Sequence, residues 1–345
     1  MDKITRVGID LGKRVFHVTA LDGAYRVVER KRFGRVGLRA YLARLPVGCE
    51  VAMEACGSAH HWGRHAQGLG HAVRLMSPQF VAPYVKSNKN DVNDADAIAE
   101  AAGRPSMRFV GVKPIASQHL QQLHRARQLA VKDRTAHGNQ IQGFALEYGL
   151  ALPKGRGAML QRLAQVLEDG SNELPAEGRA LIAELAEELK RLDERVKAFD
   201  ARIEGIAQAT PACRRLQRIP GIGPMTATAL VAAVGDAKQF GSGRELSAWL
   251  GLTPRQRSTG GKPVLLGISK RGDSYLRQLL IHGARAALRC AGKHTDRRSR
   301  WAGEVEKRRG RNVAGVALAN KNARNAWAVL AKGADFQRSG LPKAA

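Results

Sequence analysis

Apolar and polar residues alternate through the first hundred positions, and the period predicts three strands in succession: Ile4–Leu11, Val15–Leu21 and Tyr25–Phe33. Turn signals at Gly12-Lys13 and Asp22-Gly23 separate them. The pattern then predicts a short helix over Leu38–Leu45, an apolar strand over Glu50–Ala55 and a helix over His60–Leu69 that closes at Gly70. A further strand, His71–Met76, precedes a helix over Asp91–Ala102, which Gly103 and Pro105 stop.

Three strands, helix, strand, helix, strand, helix is the order of an RNase-H-like α/β fold, a mixed sheet with helices on both faces. Residues 115–207 change to a helical period. Leu185, Leu189, Leu192, Val196, Phe199, Ile203 and Ile206 alternate spacings of four and three, the seam of a coiled coil, with charged residues outward. An antiparallel hairpin within the chain, a dimer interface, or one helix packed on a core would each produce it. Beyond residue 211, Ile219-Pro-Gly-Ile-Gly223 between two helical stretches predicts a helix-hairpin-helix, whose turn at Gly221 and Gly223 offers N–H groups to a phosphate. The expected organisation is a nuclease-like domain over 1–112, a helical coiled-coil connector over 113–210, a mainly α C-terminal domain over 211–333 and a loose tail over 334–345.

Charge changes the picture most. Lys and Arg number 57 against 30 acidic residues, a formal net charge of +27. Such an excess repels itself unless a polyanion offsets it, which points to nucleic acid. No apolar run is long enough to span a membrane and no signal peptide is evident, so a cytoplasmic, nucleoid-associated protein is expected. Cys49, Cys56, Cys213 and Cys290 are too scattered for a zinc site or a disulfide framework.

Four carboxylates carry the candidate chemistry. Asp10 interrupts the apolar first strand and Glu54 ends the fourth; a buried acid is costly unless something offsets it. Asp91 and Asp94 open the last helix of this region on one face. Asp96 is expected to face solvent, and Glu100 ranks below the four. Clustered carboxylates repel, and two Mg²⁺ ions (or Mn²⁺) would relieve the repulsion while supplying two-metal phosphoryl-transfer chemistry. His60, His61 and His65 are expected as polar helix positions at the edge of the site. In the second half, Ser258-Thr259-Gly260-Gly261 is flanked by Arg255, Arg257, Lys262, Lys270 and Arg271, cations suited to a phosphate.

Together these segments resemble the DEDD-type insertion-sequence transposases, whose members include bridge-RNA-guided recombinases. The matching pieces are Gly8-Ile-Asp10, Met53-Glu-Ala55, Lys89-Asn-Asp-Val-Asn-Asp-Ala95, Ile219-Pro-Gly-Ile-Gly223, Leu250-Gly-Leu-Thr-Pro254, Ser258-Thr-Gly260 and Ile268-Ser-Lys-Arg-Gly272. The resemblance implies a domain like the RuvC junction resolvase, with Asp10, Glu54, Asp91 and Asp94 as metal ligands. It also implies a serine nucleophile, donor and target DNA, a noncoding bridge RNA, and assembly as a dimer or tetramer. A strict count puts Thr259 at the family's serine position; Ser258 is favoured because a primary hydroxyl is less crowded and Thr is stiffer at χ1. Lys89, with the turn glycines and the flanking cations, is expected to contact nucleic acid. The rival reading is a hydrolytic junction resolvase, which needs the acids and no serine.

Overall fold

A computed structural model describes residues 3–85 and 90–337 of the chain. It divides into two compact units, residues 1–115 and 116–345.

The first unit is a mixed α/β layer structure. Its six-stranded sheet has the order β3-β2-β1-β4-β5-β6, built from β1 (Ile4–Leu11), β2 (Phe16–Asp22), β3 (Val27–Phe33), β4 (Glu50–Glu54), β5 (Ala72–Met76) and β6 (Phe109–Val110). The three N-terminal strands form an antiparallel meander, β4 and β5 run parallel to β1, and β6 returns antiparallel. Alternation assigns Val7, Ile9, Val18, Val51 and Met53 to one face, where α1 (Arg35–Ala43) and α2 (Ala59–Gly68) cover them. Phe16 meets Trp62 of α2 edge-on at 5.1 Å, an arrangement worth about 0.5–1.5 kcal/mol beyond its area.

The opposite face presents smaller residues, and α4 (Asp91–Ala102) lies on it; the four-residue α3 (Pro78–Val81) packs at its side. Gly8 of β1 makes the approach possible, since a Cβ there would sit 2.5 Å from the Ala95 carbonyl oxygen. Asn90 caps α4 by accepting from the Asn93 N–H at 2.8 Å. The polar positions of this face pair across elements: Glu50 holds Arg6 (2.7 Å) and Arg74 (3.2 Å). Asp96 is half-buried, not solvent-facing as its helical-wheel position suggests. It accepts from Thr19 at 2.6 Å and from Arg30 at 3.0 Å, because the meander reaches under α4.

The second unit is mainly helical. It contains α5 (Ile115–Glu147), α6 (Arg156–Glu168), α7 (Ala176–Ala209), α8 (Pro211–Gln217), α9 (Pro224–Val234), α10 (Gly243–Trp249), α11 (Ser274–Arg289), α12 (Arg297–Arg309) and α13 (Arg311–Lys332). The heptad seam of α7 resolves as an antiparallel pairing with α5 of the same chain. Leu189, Val196 and Ile203, seven residues apart, are buried. Arg127 pairs with Asp200, Arg134 with Asp193 at 2.9 Å and His137 with Glu188 at 3.9 Å, a descending ladder that only antiparallel helices give.

At the base, His124 of α5 joins two other helices. Thr228 of α9 donates to the Pro224 carbonyl, so His124 Nε2 donates to Thr228 (3.0 Å) and Nδ1 accepts from Tyr275 of α11 (2.9 Å). Burial pushes this imidazole down to about 4, which keeps it neutral. Residues 254–268 contain a two-stranded hairpin, β7 (Pro254–Gln256) and β8 (Leu265–Ile268), within the mainly helical unit.

Candidate active site

Strand pairing and α4 position the first acids. β1 and β4 pair in parallel through Ile9 and Met53, with Asp10 and Glu54 the residues that follow, while among the described residues the carboxylates that act on Asp10 are Asp91 and Asp94 and Glu54 is not among them. The small residues two positions earlier, Gly8 and Ala52, let the helix close down, and Asp91 and Asp94 lie in its N-terminal turn. Burial pushes the Asp10 carboxyl above its ordinary range, and the charges of Asp91 and Asp94 push it the same way. Asp91 and Asp94 lie where the helix macrodipole favours anions, which offsets part of the crowding.

The same strand illustrates two treatments of a carboxylate. Glu50, at the start of β4, is held below its ordinary range by Arg6 and Arg74 in spite of burial. At the other end, Glu54 and Asp10 both add to the burial that pushes the Cys56 thiol up.

One residue escaped the sequence reading. His17 lies directly opposite Asp10 in the antiparallel pairing of β1 and β2, and its Nδ1 is 3.5 Å from an Asp91 carboxylate oxygen. Ligand atoms of Asp10, His17 and Asp91 all lie within 4.8 Å of one another, close enough to share one divalent ion. Two hard oxygen donors with an imidazole suit Mn²⁺ or Zn²⁺ as well as Mg²⁺. The turn signal at Gly12-Lys13 misleads here: a two-residue turn would set Asp10 opposite Val15, whereas a four-residue connection pairs Leu11 with Phe16 and so Asp10 with His17.

Other expectations are redistributed. His61 and His65 sit on α2, against the opposite sheet face, where Arg39 joins burial in pushing both imidazoles down. They do not border the acids, because α2 leaves the end of β4 toward the α1 side. His60 Nδ1 accepts from the Lys113 backbone N–H at 3.2 Å. Lys89 lies outside the described residues.

In the second unit, Ser258 and Thr259 occupy the exposed end of the β7–β8 hairpin. Thr259 bridges to Lys262 around Gly260 (φ +58°) and Gly261 (φ +74°); positive φ at both central residues gives the tight turn whose twist matches the strands. Ser258 Oγ accepts from Gln256 Nε2 at 2.8 Å. Arg255, Arg257 and Lys262 project from the same exposed ribbon. Lys270, at φ +56°, and Arg271 follow β8, where the Lys270 N–H donates to the Gly251 carbonyl at 3.2 Å and anchors the ribbon's base. Gly221 (φ +92°) and Gly223 lie between α8 and α9, and a Cβ on Gly221 would be 2.6 Å from the Gly283 carbonyl.

Comparison with known proteins covers both units. Residues 7–149 match the DEDD-type IS110 transposase profile, and residues 213–300 match that of the transposase IS116/IS110/IS902 family. A probable family 20 transposase of Pseudomonas aeruginosa is 49% identical over 330 residues, 95% of this chain and 97% of that protein. The transposase for insertion sequence element IS1111A of Coxiella burnetii is 46% identical over 332 residues, 96% of this chain and 91% of its own length. That for IS1328 of Yersinia enterocolitica is 43% identical over 338 residues, covering 98% of this chain and all of the other.

Proposed function

Because this chain belongs to the IS116/IS110/IS902 family of insertion-sequence transposases, we propose that Asp10, Glu54, Asp91 and Asp94 form its divalent-metal site and Ser258 its nucleophile. The chain is a DNA transposase, and no described helix is long and apolar enough to cross a membrane.

The observation that carries the metal site is the crowding at Asp10, a half-buried carboxyl pushed up by burial and by two neighbouring acids, with His17 and Asp91 within 4.8 Å. Such a cluster is costly empty and fits hard divalent cations, two Mg²⁺ by preference, with Mn²⁺ as a substitute. Divalent ions held by these residues would supply Lewis-acid stabilisation of a scissile phosphate. The meander followed by two parallel strands, with helices on both faces, supports an RNase-H-like, RuvC-like reading of the first unit. The turn at Gly221, leading into α9 with no side-chain cap at Gly223, supports a helix-hairpin-helix that contacts backbone phosphate.

In the second unit, the Ser258 hydroxyl attacks a DNA phosphorus, forming a phosphoserine bond as a 3′-oxygen leaves. A 3′-hydroxyl of a second duplex then attacks the same phosphorus and releases the serine, so the number of phosphodiester bonds is conserved. Gln256 orients the serine oxygen, while Arg255, Arg257 and Lys262 on the ribbon, with Lys270 and Arg271 at its base, hold the phosphate chain. Thr259 is the alternative nucleophile, one residue nearer the turn. A noncoding bridge RNA pairing with donor and target DNA, and a dimeric or tetrameric assembly, complete the proposal; the +27 net charge supports a large polyanionic partner.

A strand-exchange assay on donor and target duplexes in Mg²⁺ tests this. Asp10→Asn and Asp91→Asn should each lose activity by about a hundred- to a thousand-fold or more. Ser258→Ala should lose the covalent protein–DNA adduct seen on denaturing gels. Should Ser258→Ala and Thr259→Ala both cleave normally with no adduct in the wild type, the hydrolytic resolvase reading replaces it.

A further inference from the structure

A second group of cations lies on α12 and α13. We infer that Arg297, Lys321 and Arg324, grouped beside the 218–223 turn, form a binding site for a backbone phosphate of duplex DNA. The inference rests on the reading of the chain as a DNA transposase and adds residues to it that lie far along the sequence from the hairpin.

Local chemistry places the three. Asp296 caps α12, accepting from the Ser299 N–H at 3.1 Å and its hydroxyl at 2.7 Å, which sets Arg297 at the first helical position. Lys321 and Arg324 are three residues apart on α13 and so share a face. Lys321 Nζ lies 4.3 Å from the centre of the Trp301 ring on α12, which fixes its direction. The Arg324 backbone is held by packing, since a Cβ on Gly243 would come within 2.9 Å of its Cα, and its side chain is exposed.

The group is also joined to the turn. Arg298 donates to the Pro220 carbonyl at 2.7 Å and to Asn322 Oδ1 at 2.6 Å, and Asn322 Nδ2 donates to the same carbonyl at 3.1 Å. α12, α13 and the turn are therefore clamped together around Pro220. The turn leads into the uncapped N-terminus of α9, whose first N–H groups have no acceptor within the helix.

Like charges brought together repel, and something anionic must offset them. Burial together with Arg298, Arg297 and Arg324 holds the Lys321 ammonium below its ordinary range, with Asp296 opposing. Among the described residues, Arg297, Lys321 and Arg324 make no ion pair with a carboxylate. Mutually repelling cations beside backbone donors suit a phosphodiester, which accepts from several donors at once. Such contacts add salt-sensitive, sequence-independent affinity.

The test uses the full-length chain and a labelled DNA duplex, with affinity followed by fluorescence anisotropy across a salt series. Arg297→Gln with Arg324→Gln removes two exposed cations without touching the core, and Lys321→Gln is then added. Arg162→Gln with Lys190→Gln, two exposed cations on α6 and α7, measures the effect of net charge alone. We expect the slope of log K against log salt to shrink by about 1.8 for the double variant and about 2.7 for the triple, at about 0.9 per lost contact. The α6–α7 variant should keep the wild-type slope. Slopes of the double and triple variants equal to those of the α6–α7 variant overturn the inference, as does a loss confined to duplex RNA. Failure of the metal-site reading looks different: Asp10→Asn would keep its strand exchange, whatever the binding slopes.

Discussion

The two candidate reactive regions are built in opposite ways. The acids around Asp10 rest on the core: strand register sets Asp10 opposite His17, and α4 descends onto Gly8 with Asp91 and Asp94 in its first turn. Ser258 and Thr259 stand on an exposed ribbon held by one two-glycine turn and a few backbone hydrogen bonds. A site that must hold mutually repelling charges needs the whole domain behind it. A hydroxyl that must reach a phosphate needs exposure and a local turn. The first should therefore respond to changes in packing, and the second only to changes nearby.

The largest effect is expected at Gly8. Gly8→Val would force α4 away from β1; overpacking of this kind typically costs about 1–3 kcal/mol. Thermal melting of the chain should fall, and strand exchange should be lost even at temperatures where the fold survives. A variant that melts lower yet recombines normally would show that the acids do not depend on this approach.

A smaller effect, of opposite sign, is expected at Asp10. Its carboxyl is raised above the ordinary value of 3.8, so the folded chain binds that proton more tightly than the unfolded chain. The resulting stability is present below the ordinary value and is lost as pH rises through the raised one. Without metal at neutral pH, Asp10→Asn should melt a few degrees higher than wild type, and the difference should close in acid. Added Mg²⁺ should raise the melting temperature of the wild type and not of the variant. A variant that is less stable at neutral pH would show that the acids are not in conflict.

The smallest effect is expected at the ribbon. Gly261→Ala puts a side chain at positive φ, a strain on the order of 1 kcal/mol. Because the hairpin is exposed, melting should stay within a degree or two while adduct formation falls several-fold. A drop in melting temperature as large as that of Gly8→Val would erase the contrast between the regions.

Much of the first unit could be read from residue pattern, and the reasons are physical. β1 and α4 have the predicted limits because turn glycines, an Asn cap and a long apolar period bound them. β6 was invisible because two residues carry no period. The β7–β8 ribbon was missed because neither strand alternates and neither is buried. Asp96 was misjudged because a helical wheel knows nothing of the strand passing beneath, from which Thr19 donates. His17 was overlooked because proximity to Asp10 is a property of pairing, not of spacing along the chain. The basic cluster on α12 and α13 depends on three helices meeting, which no local pattern encodes.

The paired helices α5 and α7 carry a consequence for engineering. Their ion pairs Arg127–Asp200 and Arg134–Asp193 lie seven residues apart on both partners. Excising one heptad from each helix between those pairs would superimpose one ladder rung on the next and leave the buried stripe in phase. The arm would shorten by about 10 Å, at 1.5 Å per residue, with its pairing intact. It is thus a ruler whose graduations are written in the sequence, and cutting it in whole divisions would show how strictly the distance it spans is required.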